Sequence, residues 1–255
     1  MIENIFSIKK KRVLITGSSR GLGFTLAEGL AKAGAEVILN ARNEETLERS
    51  RAKLQDGGGN VKTAVFDITE PDQVDAGISK IEEEIGEIEL LVNNAGIQLR
   101  KPLVDFPFED WNRVLNTNLT GAFIVTQRIV GGMIKKGRGK IVNICSLQSE
   151  LGRETIAPYT AAKGGLKMLT KAMTVEWAGY NIQINGLGPG YFKTEMTKAL
   201  VDNEQFNSWI CNRTPAGRWG APEELVGPLI FLLSDASSFV TGQLLYVDGG
   251  ILASM

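Results

Sequence analysis

An α/β fold with a doubly wound parallel sheet is predicted by three features of the chain. Seven short apolar runs alternate with longer helix-like stretches over 255 residues. Most of the short runs are apolar throughout rather than at alternate positions, as strands covered on both faces are. Strand, helix and strand repeated in this rhythm require crossover connections, hence parallel strands with helices on both faces.

The elements follow in order. "RVLITG" (12–17) reads as the first strand, and the helix after it repeats Leu26, Leu30 and Ala33, with Gly34 placed to cap its end. "AEVILNAR" (35–42) is the second strand; "EETLERSRAKLQ" is a helix stopped by the turn signal "DGGGN". "VKTAVFDI" (61–68), "ELLVNNAG" (89–96), "GKIVNICS" (139–146), "IQINGLGPG" (182–190) and "QLLYVDGG" (243–250) complete the seven strands. "PDQVDAGISKIEEEI" and "EDWNRVLNTNLTGAFIVTQRIVGGMI" read as helices between them. No linker, low-complexity segment or repeat divides the chain, so residues 1–255 are expected to form a single domain. The stretch 191–221 is too long for a tight connection and is expected to form a lid with short helices of its own.

Composition narrows the function. Lys plus Arg is 28 and Asp plus Glu is 29, so no basic excess points to nucleic acid or to an anionic membrane. Cys145 and Cys211 stand in no metal-ligand spacing, and no metal site is expected. Histidine is absent, which excludes an imidazole base or a His-ligated zinc. The opening "MIENIFSIKKKR" lacks the apolar core of a secretory leader, and no run reaches membrane-spanning length. A cytoplasmic protein is expected.

Gly17, Gly21 and Gly23 lie between the first strand and its helix. Free N–H groups and the positive dipole end of a helix N-terminus hold phosphate there, and glycine lets a pyrophosphate approach the backbone. A tight turn alone would also use glycine. Arg20 and Arg42 fall where an adenosine ribose would lie, and "LNARN" has no carboxylate for ribose hydroxyls. Guanidinium groups pair with a 2′-phosphate, so NADP (NADPH) is the expected cofactor. Tyr159 and Lys163, four apart, share a helix face in "YTAAK". An ammonium beside a phenol lowers its pKa and makes it a usable proton donor or acceptor.

Taken with "NNAG" (93–96), Asn118 in "NTNLTG", Ser146, "GPGYFKT" and the terminal "VDGG", this order resembles the short-chain dehydrogenase/reductase family over essentially the whole chain. The resemblance implies a single-domain Rossmann fold and an NADP-dependent alcohol/ketone oxidoreductase. It implies a catalytic set of Asn118, Ser146, Tyr159 and Lys163: Tyr159 exchanges the proton, Lys163 holds the nicotinamide ribose, Ser146 binds the substrate oxygen and Asn118 anchors a relay water. It places Gly17, Ser19, Arg20, Gly21, Leu22, Gly23 and Arg42 on the cofactor phosphates and ribose, with Asp67 and Ile68 flanking adenine. Asn94, Ala95 and Gly96 would line the ribose side, and Pro189, Gly190, Phe192 and Thr194 would cover the nicotinamide.

"NICSLQSELGRETI", "GPGYFKTEMTKALV" and "RTPAGRWGAPEELVG" are similar to members of that family that act on keto forms of sugar acids. A small polyhydroxy carboxylate needs a cation and hydrogen-bonding groups. Arg100 is the expected carboxylate partner and Arg153 the second, with Gln148, Ser146 and Tyr159 on the substrate; a surface ion pair accounts for either arginine equally well at this stage. Phe192, Phe206, Trp209 and Trp219 in the lid fit closure and plain packing alike. Members of the family are commonly homotetramers, built through helices near 108–134 and 159–178. Three other functions are compatible with the same motifs, one of them another sugar or polyol dehydrogenase of that family. A 3-oxoacyl-thioester reductase would need a basic patch for an acidic carrier protein, for which Arg128 and "KKGRGK" (135–140) are candidates. A non-catalytic dinucleotide-binding regulator would usually lack part of the catalytic set, which is complete here.

Overall fold

The computed structural model describes residues 5–254. Its strands are β1 (Arg12–Ile15), β2 (Glu36–Ala41), β3 (Asn60–Val65), β4 (Leu90–Asn93), β5 (Gly139–Ile144), β6 (Ile182–Pro189) and β7 (Leu244–Val247). They form one sheet in the order β3-β2-β1-β4-β5-β6-β7, and every neighbouring pair is parallel. The principal helices are α1 (Gly21–Lys32), α2 (Glu44–Asp56), α3 (Pro71–Glu84), α4 (Phe108–Leu115), α5 (Gly121–Lys136), α6 (Ala157–Trp177), α7 (Lys198–Val201), α8 (Glu204–Arg213) and α9 (Val226–Leu233).

Strand β1 shows why the runs are apolar throughout. Val13 and Ile15 join Leu26 and Leu30 of α1, Leu47 of α2 and Leu229 of α9 on one face. Leu14, between them, joins Ile78 of α3 and Ile129 of α5 on the other. Side chains alternate faces along a strand, so both faces of this sheet need apolar residues. Each such buried side chain is worth about 1.5–3 kcal/mol.

Local signals set the helix ends. Asn43 caps α2, its side chain accepting from Thr46 N at 2.8 Å, with Glu44 and Glu45 in the first turn. Gly34 follows α1 at φ +86°, the left-handed conformation a terminating glycine adopts. Two boundaries differ from the sequence reading. Strand β4 stops at Asn93, leaving the rest of "NNAG" as loop. The long helix expected over 109–134 is broken into α4 and α5 by a π-helical turn over Asn116–Thr120. Such turns recur at functional sites, and this one carries Asn118.

The chain winds from β1 outward to β3, then returns to place β4 on the other side of β1. The connections after β1 and β4 therefore lead to helices on opposite faces, the arrangement that opens a crevice at the carboxyl edge of such a sheet. The 191–221 excursion contains α7 and α8, and a β-bridge between Phe192 and Gly220 ties its two ends together.

Candidate active site

The β1–α1 turn divides its glycines between two tasks. Gly17 has φ +63°, and a Cβ there would lie 2.7 Å from the Cα of Ala95. A Cβ on Gly23 would lie 2.4 Å from Asn94 Nδ2 and 2.5 Å from the Gly17 carbonyl. These two glycines make room for the "NNAG" loop. Asn94 Nδ2 donates to the carbonyls of Thr16 (2.9 Å) and Gly17 (3.0 Å), and Thr16 Oγ1 accepts from the backbone N–H groups of Asn94 and Ala95. Gly21 alone, at φ +56°, has no atom within 4 Å of its Cβ position. The expectation that all three glycines clear space for a ligand is thus corrected: that role is left to Gly21. Helix α1 begins without a side-chain cap and without an acidic residue in its first turn, so its N–H groups and positive dipole end are free for an anion.

Arg20 and Arg42 are both exposed at the mouth of this turn. Arg42 Nη1 pairs with Asp67 Oδ2 at 3.3 Å. Burial raises the Asp67 carboxyl, but hydrogen bonds from Thr69 N and Oγ1 together with Arg42 hold it below the ordinary carboxylate value. Ser19 carries its carbonyl to the Ser50 hydroxyl at 2.7 Å, and Leu22 packs against the core. Ile68 is buried, and a Cβ on Gly121 would lie 2.6 Å from its Cδ1. Its side chain belongs to the core; only its backbone remains for the adenine contact expected of it.

Ser146 follows β5, and Tyr159 and Lys163 lie in the first turns of α6. Lys163 is buried, its Nζ donating to the Ile144 carbonyl at 2.5 Å and lying 5.7 Å from the Tyr159 ring centroid. Ser146 Oγ donates to Gln148 Oε1 at 2.6 Å and accepts from Gln148 N at 3.3 Å. Burial pushes the Tyr159 phenol up, against a smaller opposing pull from the Ser146 hydroxyl, and burial pushes the Lys163 ammonium down. The lowering expected from Lys163 does not appear: burial leaves the Tyr159 phenol above its ordinary value. Cys145, beside them, is pushed by burial up to about 11 and is inert as a thiolate. Asn118 is also buried: its Oδ1 accepts from Ile97 N at 2.7 Å and its Nδ2 donates to Ile97 O at 2.8 Å. Its amide clamps the loop that follows Gly96.

At the substrate side, Gly190 abuts Asp248, where a Cβ would lie 2.6 Å from Cα, and Pro189 ends β6. Phe192 is buried with its ring against Gly220, so its side chain packs the base of the 191–221 excursion. Thr194 exchanges capping hydrogen bonds with Thr197. Arg100 and Arg153 are brought to one place from different loops. Burial and the neighbouring positive charge of Arg153 hold the Arg100 guanidinium below its ordinary value, with Tyr191 opposing. Neither arginine has a carboxylate partner among the described residues. Arg100 touches Gln98 Oε1 at 3.4 Å, and Arg153 donates to the Tyr191 hydroxyl at 3.3 Å. Tyr191 was missed by sequence reasoning; its only signal was its place after "GPG". Of the lid aromatics, Trp219 is buried packing, Trp209 is half exposed and Phe206 lies under Arg153.

Most of the basic patch weighed for an acidic carrier protein is paired with carboxylates, Lys135 excepted. Arg128 pairs with Asp75 and Glu82, Lys136 with Glu87, and Arg138 with Glu89. Lys140 is buried against Ser237.

A family model described as short chain dehydrogenase matches residues 11–205. The gluconate 5-dehydrogenase of Gluconobacter oxydans (strain 621H) is 55% identical over 252 residues, which cover 99% of this chain and 98% of that protein. The 5-keto-D-gluconate 5-reductase of Escherichia coli (strain K12) is 52% identical over 254 residues, covering 100% of both. Among solved structures, a gluconate 5-dehydrogenase from Burkholderia cenocepacia J2315 in complex with NADP and tartrate superposes with a TM-score of 0.97 at 52% identity, covering 100% of both chains.

Proposed function

This chain belongs to the short-chain dehydrogenase family, and on that premise we propose that it interconverts 5-keto-D-gluconate and D-gluconate with NADP as hydride carrier. The observation that carries the substrate class is the pair Arg100 and Arg153, two neighbouring guanidinium groups with no carboxylate partner among the described residues, Arg153 lying in the segment between Ser146 and Tyr159. Two such cations held together are repulsive until an anion joins them. A sugar acid supplies that anion at one end and the reacting carbonyl at the other.

The pieces around the β1–α1 turn fit the cofactor. Gly21 leaves the open approach, the uncapped helix start takes the pyrophosphate, and Arg20 and Arg42 take the 2′-phosphate. Bound NADPH supplies the hydride to C5 of the keto acid, and NADP accepts it in the reverse direction. Ser146 Oγ turns its hydrogen from Gln148 to the substrate carbonyl oxygen and stabilises charge as it develops there. Tyr159 gives its phenol proton to that oxygen, so the product hydroxyl carries the tyrosine's hydrogen. Lys163 holds the ribose and returns a proton to Tyr159, drawing on water reached past Asn118 and the Ile97 loop. Arg100 and Arg153 hold the carboxylate and fix which carbon faces the hydride.

The test is NADPH oxidation by the purified protein with 5-keto-D-gluconate and an acetoacetyl thioester in parallel, and NADH as control. Turnover of the keto acid with NADPH is the expected result. Turnover of the thioester alone would overturn the substrate, and the pairing of most of the basic patch with carboxylates argues against it.

We also propose that the protein acts as a cytoplasmic homotetramer. No helix among the described residues is long and apolar enough to cross a membrane. Phe123, Met168 and Val175 are exposed on α5 and α6, an apolar surface suited to helix packing between subunits. Light scattering should give four times the chain mass; a monomer that is fully active would refute it.

A further inference from the structure

Arg153 is held differently from the six arginines that form ion pairs among the described residues. Arg42, Arg49, Arg51, Arg128, Arg138 and Arg218 each meet a carboxylate. Arg153 meets none among the described residues. Its guanidinium carbon lies 4.7 Å from the Phe206 ring centroid and 5.9 Å from that of Tyr191. A guanidinium is attracted to the negative face of an aromatic ring, and that attraction occupies none of its N–H groups. Its one hydrogen bond among the described residues is donated by Nη1 to the Tyr191 hydroxyl. Most of its five donors stay free while its position is fixed.

Both rings come from the lid. Tyr191 opens that segment and Phe206 stands in the first turn of α8. They are braced: Tyr191 is edge-on to Trp219 at 5.7 Å and to Phe206 at 6.1 Å, and Trp219 Nε1 donates to Asn207 Oδ1 at 2.8 Å. Arg153 belongs to the other side, the segment between Ser146 and Tyr159. The guanidinium therefore joins the lid to the segment that bears the catalytic hydroxyls.

We propose that Phe206 and Tyr191 are positioning residues: they fix Arg153 so that its free N–H groups meet the substrate carboxylate, and they thereby couple the 191–221 segment to carboxylate binding. This rests on Arg153 being a carboxylate partner. The consequence is selectivity. A carboxylate engaged by Arg153 is held by a group already bound to the lid, whereas an uncharged ketone gains nothing from that contact.

The test uses the full chain with NADPH and two substrates, 5-keto-D-gluconate and its uncharged methyl ester. Phe206→Leu keeps the bulk and removes the ring; Phe206→Trp keeps a ring. Phe206→Leu is expected to raise KM for the acid about tenfold, with KM for the ester and the Kd for NADPH within about twofold. Phe206→Trp restores the acid's KM, and Phe206→Leu adds nothing in an Arg153→Met background. Arg153→Met with a wild-type KM for the acid would overturn the carboxylate reading itself. Arg153→Met impaired while Phe206→Leu is normal, additive, or equally harmful to acid and ester would overturn the coupling. Should Phe206→Leu not fold, Tyr191→Leu, which removes the other ring and the hydroxyl that Arg153 meets, carries the same comparison.

Discussion

Replacing Gly17 and Gly21 separately by alanine should separate folding from cofactor binding. Both residues have positive φ, +63° and +56°, which costs an alanine about 1–2 kcal/mol. At Gly17 the new methyl also lies 2.7 Å from the Ala95 Cα, a backbone atom that cannot swing away. Forcing extra volume into a packed site adds about 1–3 kcal/mol. The sum, about 2–5 kcal/mol, is a large share of the roughly 5–15 kcal/mol that holds a typical domain together. For a chain of this size it corresponds to a fall in Tm of about 4–20 °C. At Gly21 the methyl meets nothing within 4 Å, so the conformational cost stands alone, with a fall of about 2–8 °C. The same methyl would occupy the space where a pyrophosphate must come close, and NADPH affinity should drop at least about tenfold. Thermal unfolding without cofactor, which would itself raise Tm, and fluorescence titration with NADPH read the two effects. A Gly21→Ala protein that melts as low as Gly17→Ala, or that binds NADPH as tightly as the parent, would refute the division of labour among the glycines.

Three further outcomes are expected. Arg42→Ala should weaken NADPH by about 10–100-fold, as for loss of a charged hydrogen bond, and leave NADH unchanged; equal loss of both would show that Arg42 serves only Asp67. Tyr159→Phe should lower kcat by at least about a hundredfold with Tm retained, since the ring stays and the transferable proton goes; a steady-state assay with a melting curve checks it. Glu89 should contribute stability that acid removes. Burial raises its carboxyl, but Arg12 N at 3.2 Å and Lys11 Nζ at 3.1 Å more than offset this and leave it lowered. A lowered folded-state value gives stability that is complete above the ordinary glutamate value of about 4.3 and is lost as pH falls through the folded value. Denaturant curves of Glu89→Gln should thus lie below the parent at neutral pH and converge with it in acid; a constant gap at all pH values contradicts the assignment.

Much of this was legible in the chain. Alternation of short apolar runs with helical stretches determined a parallel sheet, because strands covered on both faces cannot show the polar alternation of an open one. The seven strands lie where the runs lie, and the order of "TGSSRGLG", "NNAG", Asn118, Ser146 and "YTAAK" marked the family and its cofactor edge. Spacing also marked Tyr159 and Lys163, since residues four apart on a helix are neighbours in any tertiary setting.

What the sequence could not determine depends on which segments meet. Gly17 and Gly23 look identical in pattern to Gly21, yet their Cβ positions are filled by Ala95 and Asn94 from another strand's loop. Phe192 and Ile68 stood at cofactor positions, and packing turned both side chains into the core. Tyr159 was expected to be acidified by Lys163, and burial instead holds its phenol above the ordinary value. Arg100, Arg153, Tyr191 and Phe206 come from separate loops and a lid helix, and no periodicity links them. Helical and strand patterns are local, because they arise from backbone geometry over a few residues. The contact of Arg153 with Phe206 and Tyr191 is a long-range fact, decided only when the sheet order and the returning 191–221 excursion bring those side chains together.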